Sequence, residues 1–331
     1  MVRIPSSPPL ITPISNKLNR PLWAVMIPVY NCSEYLTEAI ESVLMQNIPE
    51  EEMQIEVIDD ASTDADVEAI VKQAGKGRVQ YFRQKENLGS LRNFQTCINR
   101  SCGQFVHILH GDDRVKMGYY EKISTLFQKY PEAGAAFCRY SYIDQDGKRM
   151  YHQPSEMKQS GILQDWILRI GIRNVIQFAA ITVRRNVYEK LGSFYALTYG
   201  EDWEMWVRIA SHYPTAYTPD ILAEYRKHIA SITGQKFLTA AYFTDLTYAM
   251  KLIQVQLPAK KRKIILKKSR KFYAYYGLRM ANSLWHTFHN KLYVKANINQ
   301  SLKLHRDIGM YWKIFKIHTK IFLHQQLGIF K

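Results

Sequence analysis

Short apolar runs rich in β-branched residues alternate with segments of helical periodicity in the first third of the chain. The runs predict four buried strands, at 23–29 (WAVMIPV), 54–59 (QIEVID), 78–82 (RVQYF) and 104–110 (QFVHILH). The intervening segments predict helices at 33–46, 64–74 and 90–101, the first of them capped by Ser33. Because strand and helix alternate, the connections are expected to be right-handed crossovers. The pattern therefore predicts an α/β fold with a mostly parallel central sheet.

A short polar or aromatic segment follows each predicted strand. These segments are PVYN (28–31), DDASTD (59–64), NLGSLRN (87–93) and GDD (111–113). Ligands of parallel α/β sheets bind beyond the carboxyl ends of the strands. We therefore expect the four segments to meet at one edge of the sheet and to form a binding site there.

The last segment places two carboxylates, Asp112 and Asp113, side by side after an apolar strand. Adjacent carboxylates repel each other and suit neither a strand nor a core. A positive group is therefore expected between them, and the alternative is a turn with two solvated acids.

The formal net charge of +16 belongs to the end of the chain. From Lys251 onward there are 18 Lys and Arg and one acid, Asp307, whereas the preceding 250 residues carry 27 basic and 28 acidic groups. This asymmetry predicts a boundary near 235–255, after a near-neutral body.

The longest apolar run, VIQFAAITV at 175–183, is about half the length of a membrane-spanning helix. Prolines interrupt the first 21 residues where a signal peptide has its apolar core, so a cytoplasmic location is expected. The four cysteines have no metal-ligand spacing and are expected to be reduced thiols: Cys32, Cys97, Cys102 and Cys138.

In this order, PVYN, VIDDASTD, N-x-G (87–89) and GDD resemble the motifs of the family 2 glycosyltransferases, over about residues 22–232. The resemblance implies the GT-A nucleotide-sugar-binding fold and a metal-dependent, hexosyltransferase-like enzyme. The expected organisation is an N-terminal extension at 1–21, a GT-A domain at 22–235 and a basic helical region at 236–331.

The resemblance implies nucleotide-sugar contacts from six residues: Pro28, Tyr30, Asn31, Asp60, Arg92 and Asp112. Tyr30 would stack on the base, whereas outside its motif it would be interpreted as a core aromatic. The carboxylate of Asp60 would accept the ring N–H of the base, which suits uracil or thymine and favours a UDP-sugar. Asp59 would support its loop, Asp112 would hold the ribose, and Arg92 would otherwise be a helix-surface arginine.

The diphosphate of such a donor requires a hard divalent cation, Mn²⁺ or Mg²⁺, and carboxylate oxygens are the ligands that these cations prefer. By resemblance, Asp113 holds the metal. Many relatives have another aspartate at the position of His110, so this site has one carboxylate fewer. The segment YRKHIAS (225–231) resembles the family's YR-x-H-x-x-S motif, in which His228 would complete the metal shell and Arg226 would neutralise phosphate charge.

The segment 199–214 (YGEDWEMWVRIASHYP) has helical spacing, with Glu201 and Asp202 in its first turn. Acids there complement the helix dipole, which by itself explains them. The stretch also resembles the family's ED motif, followed six residues later by Arg208. By resemblance, Asp202 is the general base that deprotonates the acceptor hydroxyl, Glu201 supports it, and a single displacement inverts the anomeric centre.

Between GDD and ED, the segment 135–190 is expected to form the acceptor side, with a hairpin turning at Asp146 and Gly147. The expected partners are a nucleotide-sugar donor and a glycan or lipid-linked acceptor in cell-surface polysaccharide synthesis. No nucleic acid is expected, and an oligomer remains open.

Two other classes of protein share some of these features with a glycosyltransferase. A dinucleotide-dependent oxidoreductase is disfavoured because IPVYNCSEY (27–35) has no glycine for a phosphate-binding turn. The alternative is a catalytically inactive GT-A-like scaffold whose basic tail binds nucleic acid or a membrane.

The end of the tail predicts a basic amphipathic helix within 307–331. Its lysines form one stripe (Lys313, Lys316 and Lys320) and its large apolar residues another (Ile308, Trp312, Phe315 and Phe322). The apolar stripe either packs on the body with the lysines solvated, or docks on an anionic membrane and makes the protein peripheral to its cytoplasmic face.

Overall fold

The computed structural model describes residues 4–14, 20–229 and 231–327. One unit comprises the described residues of Met1–Ile167 and Val175–Lys227, and a second comprises those of Leu168–Asn174 and His228–Lys331. The domain limits predicted from the charge and the resemblance stay predictions.

The strands are β1 (Trp23–Val29), β2 (Met53–Asp59), β3 (Gln80–Arg83), β4 (Phe105–Ile108), β5 (Arg114–Val115), β6 (Ala135–Ile143), β7 (Arg149–His152), β8 (Gly161–Ile162), β9 (Ile181–Arg184) and β10 (Thr215–Arg226). The α-helices are α1 (Ser33–Leu44), α2 (Val67–Gly75), α3 (Ser90–Arg100), α4 (Tyr119–Lys129), α5 (Trp166–Ile170), α6 (Arg185–Leu191), α7 (Glu201–Ala210), α8 (Ile232–Thr239), α9 (Tyr242–Gln256), α10 (Arg262–Phe288), α11 (Lys291–Leu304) and α12 (Ile308–Leu327).

One mixed sheet runs through the first unit in the order β3-β2-β1-β4-β9-β6-β10-β5, with β7 on β6 and β8 on β10. The four predicted strands form its parallel half, β3-β2-β1-β4. In the other half, β6 and β10 are parallel, whereas β9 runs antiparallel to both β4 and β6. The four strands and the α/β class are confirmed, and the antiparallel strands are an addition that the alternating pattern did not predict.

All seven residues of β1 are buried, as expected for a central strand covered on both faces. Its alternate residues, including Val25 and Ile27, belong to one hydrophobic cluster with Leu36 and Ile40 of α1. This burial fixes the ends of the central strands, and therefore the loops that follow them.

The predicted hairpin is confirmed. Strands β6 and β7 pair antiparallel, and Gly147 between them has a left-handed φ of 75°, which glycine adopts without strain. All four cysteines are free thiols, as expected.

The second unit is helical. Helix α10, 27 residues long, shares a hydrophobic cluster with α11 and α12 that includes Ala274, Leu278 and Ala281. At Gly277 the helices approach closely, since a Cβ there would lie 2.2 Å from Ser301 Oγ and 2.4 Å from the Phe243 ring. Among the described residues, none of the helices combines the length and apolar content that a membrane span requires.

Candidate active site

The loops after β1 and β2 are joined through Asn31. Its N–H donates to Ser62 Oγ at 3.1 Å, and its Oδ1 accepts from Thr63 N at 2.8 Å. Asn31 has a left-handed φ of 49°, which asparagine tolerates better than most residues. The prediction that Ser33 caps its own helix is wrong: the N–H and hydroxyl of Ser33 both donate to Asp64 Oδ2, at 2.9 and 2.8 Å. The second loop therefore supplies the cap of α1.

Asp60 joins the second loop to the third. Its N–H donates to Val29 O at 2.9 Å, and its two carboxylate oxygens accept from Leu88 N at 2.8 Å and Gly89 N at 2.9 Å. The side chain is buried. Burial raises the pKa of Asp60, although the two N–H groups oppose that rise. The carboxylate keeps unused lone pairs, because each oxygen can accept more than one hydrogen bond.

The fourth loop lies against the first. Gly111 N donates to Pro28 O at 3.2 Å, and a Cβ at Gly111 would lie 3.0 Å from Val29 Cγ2. Pro28 is buried within β1, whereas Tyr30 is 49% exposed. The interpretation of Tyr30 as a core aromatic is therefore excluded. All four segments meet at one edge of the sheet, as predicted.

Two further predicted residues flank this edge. Asp59 is fully buried and accepts hydrogen bonds from Ser62 N and Tyr81 Oη, both at 2.8 Å, and from the Arg83 guanidinium. Arg92 is half-buried on α3, and its guanidinium donates to Gln95 Oε1 of the same helix at 2.9 Å.

A potential cation site lies in the fourth loop. Ligand atoms of His110, Asp112 and Asp113 lie within 4.8 Å of one another. Asp113 is 1% exposed, and its Oδ1 accepts from Arg226 N at 2.8 Å. Burial raises the pKa of Asp113 well above its ordinary value, and the charge of Asp112 adds to this rise. Within the described chain, Asp113 Oδ2 and His110 Nε2 are buried without a hydrogen-bond partner. A divalent cation fits this site because it would satisfy both atoms.

His110 is a candidate metal ligand that the sequence did not predict, because the comparison with the family motif marked its position only as lacking a carboxylate. Its ring stacks on Phe94 at a centroid distance of 5.3 Å and contacts Phe178 at 4.4 Å. Burial lowers the pKa of His110, which favours the neutral imidazole that ligates metals. The sequence did contain a signal for this role, because His110 lies two residues before Asp112 and imidazole nitrogen is itself a metal ligand.

Arg226 holds the loop that carries both aspartates. The side chain is 1% exposed, and its Nε donates to Asp112 O at 2.9 Å. Its remaining nitrogens donate to Gln145 O at 2.9 Å and to Glu38 Oε2 at 2.7 Å. The expectation that Arg226 neutralises phosphate charge stays a prediction, and in the structure its guanidinium donates to these three acceptors.

Replacing Arg226 by lysine is expected to lower the free energy of unfolding by about 3 kcal/mol, because one ammonium cannot reproduce the guanidinium fork of this buried side chain and several acceptors lose their donor. Urea unfolding measures this change. Arg149→Lys, on an exposed strand position, is the matched control and should cost less than about 0.5 kcal/mol. Equal stability of the two variants would contradict the role of Arg226.

Asp202 occupies the first turn of α7, after Gly200 with its left-handed φ of 83°. It is 9% exposed, and its Oδ1 accepts from Trp203 N at 2.7 Å. Burial raises the pKa of Tyr142 to about 12, and the charge of Asp202 contributes to that rise. Tyr142 pairs in register with Tyr225, the residue before Arg226. The charge of Asp202 therefore acts on Tyr142 of β6, and the role of Asp202 as general base stays a prediction.

The remaining predicted residues lie around these groups. Glu201 is half-buried beside Asp202. Arg208, six residues after Asp202, forms a buried ion pair with Glu204 at 2.9 Å and donates to Ser193 O at 3.0 Å, so it anchors α7. His228 begins the longer segment of the second unit, and its role as a metal ligand stays a prediction.

Residues 24–192 match the family model described as Glycosyl transferase family 2, which is just over half of the chain. The chain belongs to glycosyltransferase family 2. The matched residues include all four loops of this family 2 site, whereas Asp202 and His228 lie beyond them.

Two curated proteins similar to this family 2 chain are glycosyltransferases by name. TuaG of Bacillus subtilis, a putative teichuronic acid biosynthesis glycosyltransferase, is 28% identical over 67% of this chain and 85% of its own length. An uncharacterised glycosyltransferase of Rickettsia typhi is 25% identical over 65% of this chain. The chain spans 66% of the length of that relative.

Solved structures of other proteins have the same α/β fold as this chain. S. aureus TarS in complex with UDP-GlcNAc is 14% identical, with a TM-score of 0.59 and 92% of each chain covered. The mannosyltransferase PcManGT of Pyrobaculum calidifontis, in complex with GDP-Man and Mn²⁺, is 14% identical, with a TM-score of 0.56 over 98% of this chain and 85% of that one. The family 2 chain therefore has the predicted GT-A fold, followed by a helical C-terminal region.

Proposed function

We propose that this chain is a metal-dependent inverting glycosyltransferase that moves a sugar from a nucleotide diphosphate donor, a UDP-sugar, to a hydroxyl of a glycan or lipid-linked acceptor. The observation that carries the proposal is the cluster of His110, Asp112 and the buried Asp113, next to the loops of Tyr30 and Asp60. Support comes from relatives and neighbours: TuaG is named for teichuronic acid synthesis, and TarS was solved with UDP-GlcNAc. The proposed setting is therefore the synthesis of a cell-surface polysaccharide.

The nucleotide would lie across the first three loops. The exposed ring of Tyr30 is available to stack on the base, with Pro28 and Asn31 shaping the loop around it. Asp60 is held rigidly by two backbone N–H groups, and a free lone pair of its carboxylate would accept the imide N–H of uracil. Asp112 would hold the ribose. Arg92 would lie on the nucleotide side, and Asp59 would keep the second loop in shape.

The cation would be held by Asp113 Oδ2 and His110 Nε2, with His228 as a further proposed ligand. When bound, Mn²⁺ or Mg²⁺ stabilises the negative charge of the departing diphosphate as a Lewis acid. Arg226 acts as a positioning residue, because its N–H fixes the other oxygen of Asp113 and its guanidinium fixes the Asp112 carbonyl.

Asp202 would supply the base. A hydroxyl is a poor nucleophile until a positioned carboxylate takes its proton. The acceptor oxygen then attacks the anomeric carbon as the bond to the diphosphate breaks, through an oxocarbenium-like state. This single displacement inverts the configuration and needs no second nucleophilic carboxylate. Glu201 would support Asp202 from the neighbouring position.

The proposal is tested by titrating the full chain with UDP, GDP and TDP in the presence of Mn²⁺, followed by a panel of nucleotide sugars in a donor-hydrolysis assay. We expect UDP to bind most tightly, and Tyr30→Ala and Asp60→Asn to weaken it. Binding of DNA or RNA without any nucleotide binding would contradict the proposal and favour the inactive scaffold.

Replacing His110 by asparagine is expected to lower the Mn²⁺ affinity by about 10- to 100-fold, because the site loses an imidazole ligand. The unbound Mn²⁺ signal in electron paramagnetic resonance measures this affinity directly. His110→Asp, which restores a carboxylate, should shift the preference from Mn²⁺ towards Mg²⁺, because carboxylate oxygen suits Mg²⁺ better than imidazole nitrogen does.

His212→Asn is the matched control, because His212 is exposed and its ring bonds to Ser211 Oγ and Arg208 O in its own helical turn. It should bind Mn²⁺ as the unmodified chain does. If His110→Asn also binds Mn²⁺ normally, the imidazole is not a ligand.

A further inference from the structure

Helix α12 has two apolar faces, and only one of them is covered. Met310, Ile317 and Ile321 are at most 6% exposed and belong to the hydrophobic cluster of the second unit. The opposite side, here called the aromatic face, consists of residues that are 52–88% exposed: Ile308, Tyr311, Trp312, Phe315 and Phe322. The interpretation in which this apolar stripe packs on the body is therefore wrong, because its residues are exposed, and the stripe of α12 that is covered packs within the second unit.

The aromatic face lies on one side of the helix. Ile308 is three positions from Tyr311 and four from Trp312. Phe315 is three positions from Trp312 and seven from Phe322, and such spacings place residues on the same side of an α-helix. The rings of Trp312 and Phe315 stack at a centroid distance of 5.5 Å. Soluble proteins rarely expose an apolar patch of this kind unless something binds it.

Lysines border this face on one side. Lys313, Lys316 and Lys320 are all exposed, and Lys316 Nζ lies 5.1 Å from the centre of the Trp312 ring. There is no acidic residue within α12, and Asp307 just before it is the sole acid after Lys251. An apolar face with bordering cations is typical of helices that lie in the interface of an anionic membrane.

We propose that α12 docks on an anionic lipid bilayer, with the aromatic face inserted among the headgroups and the bordering lysines on the lipid phosphates. The positive charge of the lysines complements the negative charge of the lipid phosphates, which favours a bilayer as the binding partner of this face. A second copy of the chain docking on this face would bring two strongly basic surfaces together, at an electrostatic cost. Nucleic acid would use the lysines but has no need of an exposed aliphatic and aromatic face. The docking is independent of the proposed transfer reaction.

The experiment is sedimentation of the full chain with vesicles of equimolar phosphatidylcholine and phosphatidylglycerol, compared with pure phosphatidylcholine. We expect binding to the anionic vesicles, and we expect added salt to weaken it because screening acts on the lysines. Binding that does not depend on lipid charge would overturn the proposal.

A double variant and a matched double control test whether the aromatic face contacts the vesicle. Trp312→Ser with Phe315→Ser should weaken vesicle binding by at least about 10-fold, because apolar area is lost from the interface. The control carries Val255→Ser and Leu292→Ser, which are 70% and 73% exposed on other helices, and should bind normally. Equal weakening by the two double variants would overturn the proposal.

The role of the bordering lysines is tested with two triple variants that lose the same net charge. Changing Lys313, Lys316 and Lys320 to glutamine should weaken vesicle binding roughly 100-fold, at about fivefold for each cation near the surface. The control changes three other exposed tail lysines to glutamine, Lys260, Lys261 and Lys263, and should weaken binding much less. Equal losses would show that only total charge matters.

Self-association is measured on the same proteins by sedimentation velocity without lipid. A dimer that the Trp312→Ser and Phe315→Ser variant abolishes, together with absence of vesicle binding, would assign the face to a second copy and overturn the membrane proposal. Each variant should retain the circular dichroism spectrum and UDP affinity of the unmodified chain, because the changed side chains are exposed.

Discussion

Replacing Asp202 by asparagine is expected to lower the rate of sugar transfer by about 10²- to 10⁴-fold, the usual contribution of a general base. The amide has nearly the same shape and can still accept the Trp203 N–H, which Asp202 Oδ1 accepts at 2.7 Å. It cannot take a proton from the acceptor hydroxyl. The measurement is kcat with saturating donor and acceptor, and calorimetry should show unchanged affinity for UDP.

Glu201→Gln is the matched control, since it removes a carboxylate from the preceding position of the same helical turn. We expect it to retain most of the activity. Near-normal turnover of the Asp202→Asn enzyme would remove Asp202 from the mechanism. If the loss instead follows Glu201→Gln, then Glu201 is the base.

Replacing Asp113 by asparagine is expected to weaken the metal-dependent binding of UDP by at least about 100-fold, more than the loss of an outer-shell residue usually costs. Asparagine keeps an oxygen for the Arg226 N–H, so the loop should retain its hydrogen bond. Calorimetry of UDP with Mn²⁺, and again after chelation, measures the effect. Wild-type affinity that does not change on chelation would mean that basic residues, and not a cation, carry the diphosphate.

The Asp113→Asn variant is also expected to differ in stability, in the direction opposite to its loss of metal-dependent binding. Asp113 is buried beside Asp112, and its pKa is raised because its charged form is poorly solvated there. Without metal, removing this charge should leave the unfolding free energy unchanged or higher. Urea unfolding in the presence of chelator tests this expectation. Asp112→Asn is the control at the half-buried neighbouring position and should affect metal binding less.

The parallel half of the fold and the meeting of the four loops could be predicted from local patterns. Apolar runs that alternate with helical segments leave right-handed crossovers as the favoured connection, so the loops after the strands had to share one edge. The motifs PVYN, VIDDASTD and GDD carried the family resemblance, which the family model over residues 24–192 confirms. The roles of individual residues, Asp202 and His228 among them, stay predictions.

The contacts of Arg226 could not be predicted, because they join parts of the chain that are far apart in sequence. Its guanidinium reaches Glu38, which lies 188 positions away, and the carbonyl of Asp112. A basic residue beside a phosphate-binding motif therefore looked like a phosphate ligand. Its burial and these contacts are the basis of the positioning role that we propose for it.

The sequence by itself determined the family, the α/β class, the loops of the site and the basic amphipathic character of α12, since each follows from residue order and periodicity along a short stretch. Tertiary structure alone decided which oxygen of Asp113 is left without a partner, that His110 joins it, and which apolar stripe of α12 is covered. Periodicity identifies a helix with apolar faces, but it does not state which face meets a neighbour. Burial and hydrogen bonding are properties of the assembled chain, because distant segments supply the atoms that cover or satisfy each group.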